Sequence, residues 1–305
     1  MSLADLRVTY ADLLNKDVAL DSRIRCLYVL KENDKSPLGA AILAEAVDTT
    51  DSVLLQHELV YNIGQFRFVE SILRLREIVE RESYDVVTRH EALEALGAIA
   101  EDNVLPFLYE YAAKDGPVGN CAPLRESAVL AICRIEMKQR DGEKAVGNPE
   151  NCQYVSVDPS PAFDDALPLD VLETILTTGT HATATAPTVV PAALSGDDDD
   201  AAIIWNRYRA MFTLRNLGSK EAAVILGKAL RSDASSCLFR HEIAFVLGQM
   251  EHPASEPYLA EALADEKEHS MVRHEAAEAI GALPEKHSFD FLQKYAPSPR
   301  KRISP

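Results

Sequence analysis

The sequence has too few cysteines for a disulfide scaffold or a thiolate metal site. Its 305 residues contain five cysteines, an odd number, and no C-x-x-C pair. A disulfide framework uses an even number of cysteines, and thiolate zinc sites usually contain closely spaced cysteine pairs. Both are therefore disfavoured, and the protein is expected in a reducing compartment.

Long apolar runs are also missing. Residues 1–15 show no basic segment followed by an apolar one, so no signal peptide is predicted. No run approaches the roughly 20 apolar residues that a membrane-spanning helix needs. We therefore expect a cytoplasmic protein that does not enter a membrane.

Positive charge is scarce as well. The chain has 31 Lys and Arg against 48 Asp and Glu, which gives a formal net charge of -17. Such a surface repels nucleic acid phosphates and anionic lipids, so neither is an expected partner. A basic protein segment or a polyamine would suit it.

A constant spacing between similar segments indicates an internal duplication. Three segments in the first part of the chain return later at one constant offset in residue number, with weaker similarity in the last: 55–65 in 239–249, 89–98 in 273–282, and 25–31 in 209–215. This offset, the duplication offset, is shared by all three segments. It is best explained by tandem duplication of a unit that itself contains several repeats.

A shorter period within each half predicts the fold class. The interval from His57 to His90 equals that from His241 to His274, and the apolar residues after His90 follow helical spacing. A period in the low thirties is typical of helix-pair repeats. No segment alternates as a strand would. The pattern predicts an all-α fold of HEAT-like helix-pair repeats, in two pseudo-symmetric halves that face a shared metal cavity.

The two halves define the expected domains. We predict an N-terminal repeat half over 1–137, a linker over 138–202, and a C-terminal repeat half over 203–305. Within the linker, one helix is expected near 169–176. Residues 178–200 are rich in Thr, Ala and Pro and end in four aspartates, which predicts a disordered insertion.

Four His-Glu pairs carry the functional signal. Acids make up 48 of 305 residues, so chance would place an acid after only about 1.3 of the eight histidines. All four pairs fall at the same place in the repeat, near the start of the second helix. They are His57-Glu58, His90-Glu91, His241-Glu242 and His274-Glu275.

The expected geometry favours a metal site. Neighbouring inner helices of such a solenoid lie roughly 9 to 10 Å apart, so the imidazoles and carboxylates of two repeats can converge. Imidazole and carboxylate without thiolate suit iron, manganese or zinc. The residues alone leave three classes open: a non-haem oxygen-activating iron enzyme, a dimetal hydrolase, and a non-enzymatic HEAT-repeat binding protein.

At these motifs the chain resembles the deoxyhypusine hydroxylases, a family of HEAT-repeat di-iron monooxygenases. The similarity extends to residues 156–159 and 207–212 and excludes only an apparent insertion near 178–201. It implies O2-dependent hydroxylation of the deoxyhypusine side chain of a translation factor to hypusine. It also implies two Fe(2+) ions per chain and an external reductant.

The resemblance also assigns roles to the four pairs. It implies that six residues ligate iron, namely His57, His90, Glu91, His241, His274 and Glu275. Glu58 and Glu242 then fall where the family holds the substrate, although both could also reach a metal. No catalytic residue beyond the metal site is expected.

Overall fold

The structure is a computed structural model of the chain, and it describes residues 2–150, 152–164, 166–180, 194, 200–284 and 286–295. Within these residues all regular structure is helical, as the repeat pattern predicted. None of the described helices is long and apolar enough to cross a membrane. The chain divides into two compact units, Met1–Ala162 with Gly179–Arg209 (unit 1) and Phe163–Thr178 with Ala210–Pro305 (unit 2).

Unit 1 consists mainly of helix pairs. Its α-helices are α1 (Leu3–Thr9), α2 (Ala11–Leu14), α3 (Leu20–Asn33), α4 (Pro37–Val47), α5 (Val53–Phe66), α6 (Ile72–Glu80), α7 (Val86–Ile99), α8 (Leu105–Ala112) and α9 (Ala122–Asp141). Short 3-10 turns at Val69–Ser71 and Asp102–Val104 precede α6 and α8.

Unit 2 repeats part of this order. Its helices are α10 (Leu169–Thr178), the last part of α11 (Asp200–Leu217), α12 (Lys220–Ser232), α13 (Cys237–Met250), α14 (Glu256–Ala264), α15 (Ser270–Ala282) and α16 (Lys286–Leu292). The bounds of α5 and α6 reappear in α13 and α14 at the duplication offset, so the offset in sequence is also an offset in structure.

Matching serine caps explain why α5 and α13 begin where they do. Ser52 accepts a hydrogen bond from the backbone of Leu55, and Ser236 accepts one from Phe239, at the starts of α5 and α13. Serine is a favoured N-cap because its side chain satisfies a backbone N–H that the first turn leaves open. The two caps therefore set the same helical register in both units.

An arginine directly before the histidine ties α7 to the preceding helix α6, and α15 to the preceding helix α14. Arg89 donates from Nε to the carbonyl of Val79 at 2.8 Å, and Arg273 donates to that of Leu263 at 3.1 Å. The carbonyls at a helix C-terminus lack intrahelical partners, so a guanidinium there can donate hydrogen bonds to them. Its positive charge also interacts favourably with the negative end of the helix dipole. Arg23 makes the same bond to Leu13 in the first repeat.

Glycines allow the inner helices to approach closely. A Cβ added at Gly64 in α5 would lie 2.8 Å from the Cα of Ala95 in α7. In unit 2, a Cβ at Gly248 would lie 2.9 Å from the Cα of Ala279. Each glycine follows the helix's histidine by about two helical turns. The close contact therefore holds together the helices that carry the His-Glu pairs.

The middle of the chain contains more helix than expected. Helix α9 continues to Asp141, past the predicted boundary at residue 137, and a 3-10 turn follows at Glu143–Val146. The helix expected near 169–176 is present as α10. Most of the predicted insertion, together with the tail after Tyr295, lies outside the described residues.

Residues 148–150 and 152–158 form an irregular segment that side-chain hydrogen bonds fix to helices of unit 1. Gln65 at the end of α5 donates to the carbonyl of Val157 at 3.1 Å and accepts from its N–H at 2.7 Å. Buried Arg134 on α9 donates to the carbonyl of Asp158 at 2.8 Å. Long side chains from α5 and α9 thus make the hydrogen bonds that this backbone would otherwise make within a helix or a sheet.

Candidate metal centre

The four predicted histidines occupy one position in four helices. His57, His90, His241 and His274 are each the fifth residue of α5, α7, α13 and α15. Their side chains therefore leave equivalent points on paired helices, since the caps fix where each helix begins. Each glutamate follows about 100° further around the helix.

In unit 1 the first histidine lies between two glutamates. His57 Nδ1 is 3.7 Å from Glu58 Oε1, and His57 Nε2 is 3.3 Å from Glu91 Oε2. The second contact joins neighbouring inner helices. All three side chains are largely buried, so their charges are poorly screened.

The burial of His57 and Glu58 and their mutual contact shift the pKa values of both residues. Burial alone would lower the pKa of His57, but the carboxylates of Glu58 and Glu91 outweigh it and raise that pKa well above 6.5. Burial raises the pKa of Glu58, whereas His57 and Tyr28 lower it, and the net shift is downward. The site therefore favours a cation among ionised carboxylates.

The second histidine of unit 1 has its own carboxylate. His90 is fully buried, and its Nδ1 lies 3.5 Å from Oε1 of Glu94, one helical turn later. Ser127 on α9 donates to the same oxygen at 3.2 Å. One donor atom each from His90, Glu91 and Glu94 can be chosen so that all three lie within 4.8 Å of one another.

Unit 2 has similar His-Glu contacts, and the second histidine is the more exposed of its two. His241 Nδ1 lies 3.8 Å from Glu275 Oε2 and 3.3 Å from the carbonyl of Met271. His274 Nε2 lies 3.4 Å from Glu278 Oε1. The side chains of His274 and Glu278 are 20% and 32% exposed. Glu242, adjacent to His241, is buried.

Glu58 is held by groups beyond the predicted set. The hydroxyl of Tyr28 on α3 donates to Glu58 Oε2 at 2.8 Å. The side-chain amide of Asn62 donates to the Glu58 backbone carbonyl at 2.7 Å. Tyr28 and Glu58 are on different helices, so only the packing of α3 against α5 brings them together.

Of the four histidines outside the pairs, two cap helices and two have side chains that the structure does not describe. His252 Nδ1 accepts from the backbone of Ala254, and His269 Nδ1 accepts from that of Met271, so both act as N-caps. His181 lies outside the described residues, as does the side chain of His287. The described histidines thus separate into two kinds, four in His-Glu pairs and two capping.

The donor set fits a divalent first-row metal. Each unit presents imidazole nitrogens and carboxylate oxygens from paired helices, and most of these groups are buried. Such a set suits iron, manganese or zinc. Carboxylates beside the histidines, such as Glu94 and Glu278, also match the partners that orient metal-binding imidazoles.

Sequence reasoning missed several residues that position this site. Glu94 and Glu278 are related by the duplication offset, and each lies one helical turn after a histidine, so their spacing could have identified them. The glycines, Gly64 and Gly248, are related by the same offset and carry the same signal. Tyr28 has no such signal, because its counterpart in the second half is Phe212.

Family models detect the repeats independently. The model described as HEAT repeats matches residues 225–303, and the model described as PBS lyase HEAT-like repeat matches residues 207–232. These matches agree with the helix pairs of unit 2.

Curated proteins and a solved structure extend the similarity to most of the chain. The deoxyhypusine hydroxylase of Bos taurus is 37% identical over 244 residues, covering 80% of this chain and 69% of the relative. That of Drosophila melanogaster is 36% identical over 246 residues, with the same coverage. A structure of human deoxyhypusine hydroxylase is 35% identical, with a TM-score of 0.80, and the match covers 97% of this chain and 91% of that one.

Proposed function

This chain belongs to the deoxyhypusine hydroxylase family, and on that premise we propose that it hydroxylates the deoxyhypusine side chain of a protein substrate at a non-haem di-iron centre. The observation that carries the metal part of this proposal is the buried contact between His57 and Glu91, made on neighbouring inner helices. An imidazole and a carboxylate fixed together from two helices are a ready pair of metal ligands.

We assign six residues to the iron ions. The ligands would be His57, His90, Glu91, His241, His274 and Glu275, three from each half of the duplication. The similar His-Glu contacts within unit 1 and within unit 2 support equal contributions from both halves. The bound iron would supply the activation of O2 that hydroxylation requires.

The remaining two glutamates would bind the substrate. The deoxyhypusine arm carries protonated amines, and Glu58 and Glu242 are carboxylates next to proposed iron ligands. A charge-assisted hydrogen bond to an ammonium would hold the arm in place and direct its carbon toward the oxidant. Both glutamates are mostly buried, which strengthens such a bond by excluding water.

The overall reaction balances with one external reductant. A C–H bond of the arm becomes C–OH with one oxygen atom of O2. The other oxygen atom leaves as water after taking up two electrons and two protons. The external reductant supplies both electrons.

The acidic surface would help to recognise the partner. The net charge of -17 attracts a basic segment of a protein substrate and speeds its encounter. We propose a translation factor bearing deoxyhypusine as that substrate, and neither nucleic acid nor a membrane as a partner.

The direct test uses purified protein reconstituted with ferrous iron under argon and then mixed with a deoxyhypusine-bearing substrate, a reductant and 18O-labelled O2. Mass spectrometry should detect one labelled oxygen atom in the substrate and none in samples kept without O2. Activity that needs zinc or manganese but not O2 would replace the proposal with a dimetal hydrolase. Failure of the protein to bind any metal would leave a non-enzymatic HEAT-repeat scaffold.

A further inference from the structure

Tyr28 contacts one of the two glutamates assigned to the substrate. Its hydroxyl donates to Oε2 of Glu58 at 2.8 Å, while Oε1 of the same carboxylate lies 3.7 Å from His57 Nδ1. Asn62 holds the backbone carbonyl of Glu58. The Tyr28 hydroxyl therefore orients the carboxylate from α3, with His57 beside its other oxygen.

The second half of the duplication lacks this hydroxyl. Position 212 is related to Tyr28 by the duplication offset, and it contains phenylalanine. Both halves have a cation over the ring. Lys31 Nζ lies 5.4 Å from the centre of the Tyr28 ring, and Arg215 Cζ lies 4.8 Å from the centre of the Phe212 ring. The two halves therefore keep the same aromatic–cation pair and differ in whether the ring can donate a hydrogen bond.

The exposure of the ring argues against a purely structural role. Tyr28 is 43% exposed, whereas Phe212 is fully buried. A half-exposed ring contributes little to the core, and its polar group can serve a neighbouring site. A hydrogen bond from an exposed ring to a mostly buried carboxylate mainly restricts the carboxylate.

We propose that Tyr28 is a positioning residue for the substrate, because it fixes Glu58 as a preorganised anchor for an ammonium of the arm. A carboxylate already fixed in its binding orientation loses less conformational entropy when the amine arrives. This inference rests on the proposed function, because it requires an amine-bearing substrate.

The change Tyr28→Phe removes only the hydroxyl. With iron-loaded enzyme and a deoxyhypusine-bearing protein, we expect KM to rise about tenfold while kcat changes less than about twofold, since substrate and transition state lose the same contact. The substrate Kd, measured under argon without turnover, should rise equally. Iron content and thermal stability should stay at the wild-type level.

A matched control and a double variant separate this role from general damage. Tyr109→Phe removes a tyrosine hydroxyl that donates to Glu136 in a repeat without a His-Glu pair, and it should leave KM unchanged. In a Glu58→Gln background, Tyr28→Phe should add no further effect, because its contribution passes through Glu58.

The outcomes distinguish this inference from the proposed function. Wild-type enzyme that neither binds nor hydroxylates the substrate would refute the proposed function itself. An active wild type whose KM is unaffected by Tyr28→Phe would refute the positioning role alone. An effect that persists undiminished in the Glu58→Gln background, or that appears as lost iron, would also overturn it.

Discussion

Helices α5 and α7 of unit 1 and helices α13 and α15 of unit 2 are two copies of one duplicated helix pair, in different surroundings. Each pair has a serine cap, a glycine–alanine contact and a histidine at the fifth position. In unit 1 the twenty-residue α9 packs beside α7, and His90 is fully buried. In unit 2 the seven-residue α16, which the duplication offset aligns with the region of α8, packs beside α15, and the side chain of His274 is 20% exposed.

This comparison separates what a metal site needs from what its surroundings set. The duplication retains the groups that fix helix register and spacing, so the His-Glu pairs keep a similar geometry within each unit. The exposure of the second histidine differs between the copies, and with it how strongly nearby charges act on it. We therefore expect the two copies to be equally necessary and unequally protected.

The largest expected effect tests equal necessity. His57→Ala and His241→Ala should each lower hydroxylation by at least about 100-fold, because each removes one of the six proposed iron ligands. The control His252→Ala alters only an N-cap and should keep nearly full turnover. If one of the two ligand variants stayed active, the two halves would not be equivalent in function.

The next prediction concerns the glycine–alanine contacts. Gly64→Ala and Gly248→Ala should each destabilise the protein by about 1–3 kcal/mol, since the new Cβ would fall under 3.0 Å from the facing helix. Gly281→Ala is the matched control, because among the described residues its Cβ would approach only Leu292, at 3.9 Å, and alanine favours helix. Urea unfolding should thus separate Gly281 from the other two, and equal costs at all three would contradict the account.

A smaller difference is expected between the carboxylates beside His90 and His274. Glu94→Gln should weaken iron binding by about tenfold, and Glu278→Gln by only about two- to threefold, because the latter is more exposed and better screened. Competition with a chelator would measure both. Equal losses would show that exposure does not set the strength of this support.

The smallest effect depends on pH in the metal-free protein. The folded-state pKa of His57 is raised above 6.5, so its ion pairs contribute fully below that pH and are lost as pH rises through the raised value. The stability difference between wild type and His57→Gln should therefore be larger at pH 6 than at pH 9. A difference that grows with pH would mean that the histidine is neutral when folded.

Much of this site could be predicted from the sequence because it rests on local, periodic signals. The duplication offset, the four His-Glu pairs and the helical spacing are all visible in the chain itself. The helix bounds of α5 and α13 follow from the serine caps, which are also sequence signals.

The remainder depends on tertiary packing that no local pattern encodes. The Tyr28–Glu58 bond requires α3 to lie against α5, and its partner position in the second half has lost the hydroxyl. The segment around Val157 lacked a helical pattern, yet it is fixed by Gln65, 92 residues away in sequence. Composition could show that this segment is irregular but could not identify what holds it.

The most direct test of the central claim is the iron content of the purified protein, compared among wild type, His57→Ala and His241→Ala after anaerobic ferrous loading. If both copies of the duplicated helix pair contribute ligands to one di-iron centre, wild type should contain about two irons per chain and each variant clearly fewer. Wild-type iron content in either variant would contradict a centre built from both halves.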